Sequence, residues 1–228
     1  MSIKSNIEEI HSKVIEACRQ VGRRQEEVTL IAVTKTKPIE AMEQALSCGI
    51  IHVGENKVQE IINKYPHFEN NFKWHMIGHL QTNKIKSIID KVELIHSVDR
   101  MKLAQLISLE ASKINKVQNI LIQVNIAEEE TKFGIEKNEV EAFIKEAAQL
   151  PNICIKGLMT VAPFVEDAEE NRPIFREMFQ VFVDINSKNI DNVTMDVLSM
   201  GMTNDFEVAI EEGATMVRIG TAIFGERN

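Results

Sequence analysis

The chain has 228 residues, 44% hydrophobic and 26% charged, with 10 Gly and 5 Pro, a composition that supports a large core and excludes disordered and fibrous classes. A formal net charge of -8 argues against a surface built to neutralise nucleic-acid phosphates. Cys18, Cys48 and Cys154 are odd in number and form no Cys-x-x-Cys pair, so neither a disulfide framework nor a zinc site is indicated and a reducing cytoplasm fits best.

The first predicted element is a helix over Ile3 to Val21, read from its apolar spacing. Lys4, Glu8, Glu9 and Lys13 interrupt this segment, which therefore lacks the apolar core of a secretory signal. No apolar run approaches the roughly 18 residues needed to cross a bilayer, and no membrane partner is expected. Short runs rich in β-branched residues then alternate with amphipathic stretches, as parallel strands joined by crossover helices do. In chain order the pattern predicts a strand over Thr29 to Lys35, a helix over Ile39 to Cys48, a strand over Ile51 to Asn56 and a helix over Val58 to Asn63. A strand over Lys73 to Gly78, a helix over Lys84 to Asp90, a strand over Val92 to Val98 and a helix over Arg100 to Asn115 follow. The remainder reads as strands over Asn119 to Asn125, Ile155 to Val161, Met195 to Met200 and Thr215 to Ile219, separated by helices over Lys137 to Gln149, Glu166 to Asn186 and Asp205 to Glu212.

Eight strands with one helix per crossover fit a single-domain (β/α)8 TIM barrel spanning residues 1–228, with the extra N-terminal helix taking the place of the one expected after the last strand. An open doubly wound sheet is the alternative, but no Gly-x-Gly-x-x-Gly follows the first strand. Internal repeats, low-complexity segments and a Pro/Gly/Ser-rich linker are absent from the sequence, which favours one domain.

In such a barrel the chemistry sits where the strands end. Lys35 closes the apolar run Leu30-Ile31-Ala32-Val33 and shares the side-chain parity of Ile31 and Val33, which turns its amine toward the mouth. A partly dehydrated lysine is a nucleophile toward carbonyls; a lysine that snorkels its head into water is the equal alternative. Lys37 precedes Pro38 at a helix start, a poor place for a cation, and is expected to turn to solvent. Ser199 and Gly201 on the seventh strand end, with Gly220 and Thr221 on the eighth, suit a bound anion, although glycines also end many strands as turn residues. His75 and His79 sit four residues apart in a strand, roughly 13 Å, too far to share a metal. The run Glu128-Glu129-Glu130 reads as a solvated turn and the scattered methionines as core filler.

Several motifs in order carry a resemblance: Ala32-Val33-Thr34-Lys35-Thr36-Lys37-Pro38, Gly54-Glu55-Asn56, His75-Met76-Ile77-Gly78-His79-Leu80-Gln81-Thr82-Asn83-Lys84 and Gly157-Leu158-Met159. Leu198-Ser199-Met200-Gly201-Met202-Thr203-Asn204-Asp205 and Val217-Arg218-Ile219-Gly220-Thr221-Ala222-Ile223-Phe224-Gly225 complete it. Nearly end to end, the chain resembles the pyridoxal 5′-phosphate (PLP)-binding homeostasis proteins, the YggS or PROSC family, whose fold is similar to the barrel domain of alanine racemase. The resemblance implies that Lys35 carries PLP as a Schiff base and that Asn56 lies near the pyridine ring. Ser199, Met200 (through its backbone), Gly201, Gly220 and Thr221 would surround the phosphate, and Arg218 would approach the pyridine nitrogen. His79 and Lys57 depart from the family's commoner proline and tyrosine at the rim.

The resemblance further implies cofactor homeostasis rather than turnover, with PLP-dependent apoenzymes as candidate recipients and a monomer as the simplest assembly. An arginine beside the pyridine nitrogen keeps the ring unprotonated and a poorer electron sink. The sole tyrosine, Tyr65, falls in the second crossover, so the second acid/base group that racemisation needs is missing from the expected place. A PLP-dependent amino-acid racemase or lyase is the alternative, and a Schiff-base barrel enzyme acting on sugar phosphates is a third.

Overall fold

A computed structural model describes residues 2–127 and 133–225. The chain opens with α1 (Ile3–Gln20), started by a reciprocal cap in which the Ser5 amide donates to Ser2 Oγ and the Ser2 amide donates to Ser5 Oγ, 3.1 and 3.0 Å. Strands β1 (Thr29–Val33), β2 (His52–Glu55), β3 (Lys73–Met76) and β4 (Val92–Val98) alternate with α2 (Ile39–Ser47), α3 (Val58–Phe68), a 3-10 segment over Thr82–Ser87 and α4 (Met101–Ser112). Then come β5 (Gln118–Asn125), the two-residue β6 (Ile135–Glu136), α5 (Val140–Ala147), β7 (Ile153–Met159), α6 (Arg172–Ser187), β8 (Val193–Met202), α7 (Phe206–Glu211), β9 (Met216–Ile219) and α8 (Thr221–Phe224).

Every pairing is parallel. β1 pairs with β2 on one side and β9 on the other, and the β4–β5 pairing closes the ring, leaving β6 as a short appendage on the end of β5. The fold is therefore the eight-stranded α/β barrel expected from the sequence. Parity divides its core into two parts. Residues such as Ala32, Val53, Leu198, Val217 and Ile219 face outward and join the apolar faces of the helices in one continuous shell. Inside the barrel, Leu94, Leu121 and Met159 make a separate apolar plug. Beside and above it the interior is polar: His75, level with Leu94, and Ser199, level with Met159, are buried together with His96 and Arg218.

α1 packs against α2, α7 and α8, filling the expected place in the outer ring. Ile7, Ile10, Val14 and Ala17 form its buried stripe, and Asn6 Nδ2 donates to the Ile223 carbonyl at 2.9 Å. Some element limits differ from the expectation. A helix does follow the last strand, the single turn α8. The predicted helix at Lys84 to Asp90 is a 3-10 segment, because Ile85, Ile88 and Ile89 are buried over a connection too short for full α-helical turns. α3 runs on past Asn63 to Phe68: Pro66 lies in its last turn, and Phe68 is anchored against Phe72 with ring centroids 5.0 Å apart. The acidic run Glu128-Glu129-Glu130 lies outside the described residues.

Candidate functional site

β1 ends at Val33, and the next four residues form a turn in which the Lys37 amide donates to the Thr34 carbonyl at 3.0 Å. Thr36 has φ of 62°, a left-handed conformation that a β-branched residue rarely adopts. A buried clamp holds it there. Glu60 Oε2 accepts the Thr36 amide at 2.6 Å, and Lys64 Nζ donates to the Thr34 carbonyl, Glu55 Oε1 and Glu60 Oε2 at 2.7, 2.8 and 2.8 Å. Thr34 Oγ1 also donates to Glu55 Oε1, 2.6 Å away. Burial raises the Glu55 carboxyl, with Lys64 opposing; burial also acts on Glu60, but the hydrogen bonds from Lys64 and the Thr36 amide outweigh it and the carboxyl is held low. The consequence is a rigid turn presenting Lys35, half-buried, at the barrel mouth.

Lys35, Thr36, Asn56, Val161, Phe164, Met202, Thr203, Asn204, Arg218, Gly220 and Thr221 are among the residues lining a cavity of about 700 Å³ at that mouth, within the size range of small-molecule sites. Asn56 is positioned by close backbone approach: a Cβ on Gly78 would lie 2.3 Å from the Asn56 carbonyl oxygen. On the opposite wall the Asp205 carboxylate accepts the Met202 amide at 2.7 Å and Asn171 Nδ2 at 2.8 Å, which fixes the turn carrying Thr203 and Asn204. The Gly220 amide donates to Thr203 Oγ1 at 3.4 Å.

Arg218 rises from β9 into the cavity floor. Its Nη1 donates to Ser199 Oγ at 2.6 Å and its Nη2 to the Thr160 carbonyl at 2.8 Å. Burial pushes the guanidinium down to about 10, Asp205 opposing, so it stays cationic at neutral pH.

The structure thus brings Lys35, Asn56, Arg218, Gly220 and Thr221 to one cavity. Ser199, Met200 and Gly201 are not on its lining. The Ser199 hydroxyl is buried beneath Arg218, the Met200 side chain points outward into the helical shell, and Gly201 packs against α7, where a Cβ would lie 2.6 Å from that of Ala209. Lys37 is not turned to solvent as expected. It is half-buried and its Nζ donates to the carbonyls of Phe224 and Gly225 at 3.2 and 3.0 Å, because the end of α8 offers the unpaired carbonyls that favour a cation. His75 and His79 diverge: His75 points into the barrel, while His79 lies 3.5 Å from Asp99 and stacks on Phe133 at the rim. Sequence reasoning missed Glu55, Glu60 and Lys64; the i,i+4 spacing of Glu60 and Lys64 was the available signal.

A closed parallel barrel with a lysine in the turn just past its first strand and a buried arginine near the end of its last defines a class. The chain belongs to the alanine racemase N-terminal domain family, whose model matches residues 6–228, and within it to the pyridoxal phosphate homeostasis proteins. It is 42% identical over 228 residues to the pyridoxal phosphate homeostasis protein of Aquifex aeolicus, covering 100% of this chain and 99% of that one. Among solved structures, an unknown protein from Bifidobacterium adolescentis superposes with a TM-score of 0.91 at 32% identity, covering 97% of this chain and 94% of that one. PipY of Synechococcus elongatus, with PLP bound, gives 0.82 at 31% identity, covering 93% of this chain and 100% of that one.

Proposed function

We propose that the chain binds PLP in the 700 Å³ cavity, carries it as a Schiff base on Lys35, and serves PLP homeostasis rather than amino-acid turnover. The observation that carries this reading is the meeting of Lys35 and Arg218 across one mouth, from strands paired in register at Ile31 and Arg218. The residues present fit the cofactor: an amine for its aldehyde, a fixed cation for its ring nitrogen, and the Gly220 and Thr221 backbone on the cavity wall for its phosphate. When bound, PLP supplies a carbonyl and an electron-withdrawing ring.

The chain's own groups then bind more than they catalyse. The clamp around Thr36 fixes the reach of Lys35. Asn56 would flank the ring, and Gly220 and Thr221 would meet the phosphate, with Ser199, Met200 and Gly201 supporting that wall from behind. Arg218, cationic and without a lone pair, would hold the ring nitrogen unprotonated, the state least able to stabilise a carbanion. Tyr65 is no second acid/base group: it packs on Trp74, with Lys91 Nζ 5.6 Å from its ring centroid, away from the cavity. The reading extends to a monomeric cytoplasmic carrier that hands PLP to apoenzymes. Its support is the closed ring, which leaves no long sheet edge to pair, and the finding that no helix among the described residues is long and apolar enough to cross a membrane.

The test is the visible absorption of wild type and Lys35→Ala after incubation with PLP, then borohydride reduction and peptide mapping. A yellow wild type with the adduct on Lys35, and a colourless variant, is the expected result. An adduct elsewhere, or none, overturns the reading; amino-acid turnover by protein freed of contaminating enzymes would instead favour a racemase or lyase.

A further inference from the structure

Three imidazoles stand on consecutive strands inside the barrel. His52 on β2 is level with Lys73, so His75 on β3 is two residues higher; His75 is level with Leu94, so His96 on β4 is two higher again. The tilt of the strands brings them into a rising line. His52 Nδ1 lies 2.9 Å from His75 Nε2, His75 Nδ1 lies 3.0 Å from His96 Nε2, and His96 Nδ1 lies 3.0 Å from Ser199 Oγ across the barrel. Ser199 is the residue that accepts from Arg218. The line therefore runs unbroken from the barrel floor to the cavity.

Its polarity is set at the top. A guanidinium can only donate, so Ser199 Oγ accepts from Arg218. Ser199 is fully buried, and among the described residues His96 Nδ1, 3.0 Å away, is the one acceptor within reach of its own proton. Reversing the line would leave that O–H unpaired in the interior, a penalty that burial makes severe. Ser199 thus donates to His96 Nδ1, His96 Nε2–H to His75 Nδ1, and His75 Nε2–H to His52 Nδ1. All three rings are neutral Nε2–H tautomers, and each bond polarises the next in the same sense.

Charge around the line agrees. Burial holds His52 down to about 4 and His75 to about 3, with Lys73 adding to both and His52 acting on His75; burial, His75 and Arg218 hold His96 well below the ordinary imidazole value. Asp205 faces Arg218 and opposes the effect of burial there.

We infer that His52, His75 and His96 are positioning residues, a one-way hydrogen-bonded column that holds the Ser199 hydroxyl as acceptor and so keeps Arg218 aimed at the cavity. The column stands on the hydrogen-bond geometry, and its service to PLP rests on the function proposed above.

Imidazole 15N NMR of the PLP-free protein tests the column. The expected result is the Nε2–H tautomer at all three positions, with no protonation between about pH 8 and pH 5.5. An Nδ1–H tautomer at any of them, or titration near the ordinary value, overturns it. PLP titration of His96→Phe and His96→Gln tests the service. The phenyl variant is expected to bind PLP about tenfold more weakly, with a shifted visible band. The glutamine variant is expected to restore both, since its carbonyl accepts from Ser199 while its amide donates to His75. A phenyl variant with the wild-type spectrum and affinity overturns the positioning role. If the wild type takes up no PLP, the cofactor reading fails and the positioning role with it, whereas wrong tautomers with PLP bound overturn the column alone.

Discussion

Gly78 shows how a single missing methyl shapes the mouth. The backbones of β2 and β3 approach so closely beyond their ends that a Cβ there would meet the Asn56 carbonyl oxygen at 2.3 Å and its Cα at 2.7 Å. Neither atom belongs to a flexible side chain, so the clash cannot relax without moving Asn56. Gly78→Ala is expected to lower stability by about 3 kcal/mol and to weaken PLP binding together. Urea unfolding and a PLP titration check this; an alanine variant as stable as wild type would mean the approach is looser than described. Residue roles of this kind were only partly legible. The place of Lys35 on the cavity wall was readable from its parity with Ile31 and Val33, and Lys37 was misjudged because its partners, the Phe224 and Gly225 carbonyls, come from the other end of the chain.

At the scale of elements, the strands were legible because each buries one face against the shell and the other in the barrel, leaving β-branched runs bounded by polar turns. Their ends were less so. β1 stops two residues short of Lys35, since the clamp from α3 pulls the backbone into a left-handed turn, a tertiary effect with no local signal except Glu60 and Lys64 one turn apart. The histidine column was invisible for the same reason: its members are separated by more than a strand and a helix, and only the strand register aligns them. α1 was placed correctly, and its stripe makes it part of the outer wall rather than an ornament. Ile10 is 3% exposed, so Ile10→Ala is expected to cost about 3 kcal/mol by thermal or chemical unfolding. A loss below about 1 kcal/mol would show that α1 is peripheral.

For the whole molecule, the polar interior sets a limit on acid. His52 and His75 have folded pKa values of about 4 and about 3, below the 6.5 expected when unfolded, and His96 is depressed likewise. The unfolded chain therefore binds more protons between pH 6.5 and 4, so stability is full above about 6.5 and falls as pH drops through that window. Glu60, held low, continues the loss below its ordinary value. Unfolding free energies measured in denaturant at stepped pH should decline from about 6.5 downward, as His52, His75 and His96 gain protons more readily in the unfolded chain. A flat profile down to pH 5 would contradict neutral buried imidazoles.

The bond from Asn6 to the Ile223 carbonyl places the two ends of the described chain side by side. Around a closed ring of repeated strand-and-helix units, the point at which the polypeptide is cut is then a matter of covalent bookkeeping rather than of architecture. A circular permutant joined across this seam by a short flexible linker and reopened at the exposed turn of Asn189 and Asn192, between α6 and β8, is expected to refold to the same barrel and take up PLP with an unchanged spectrum.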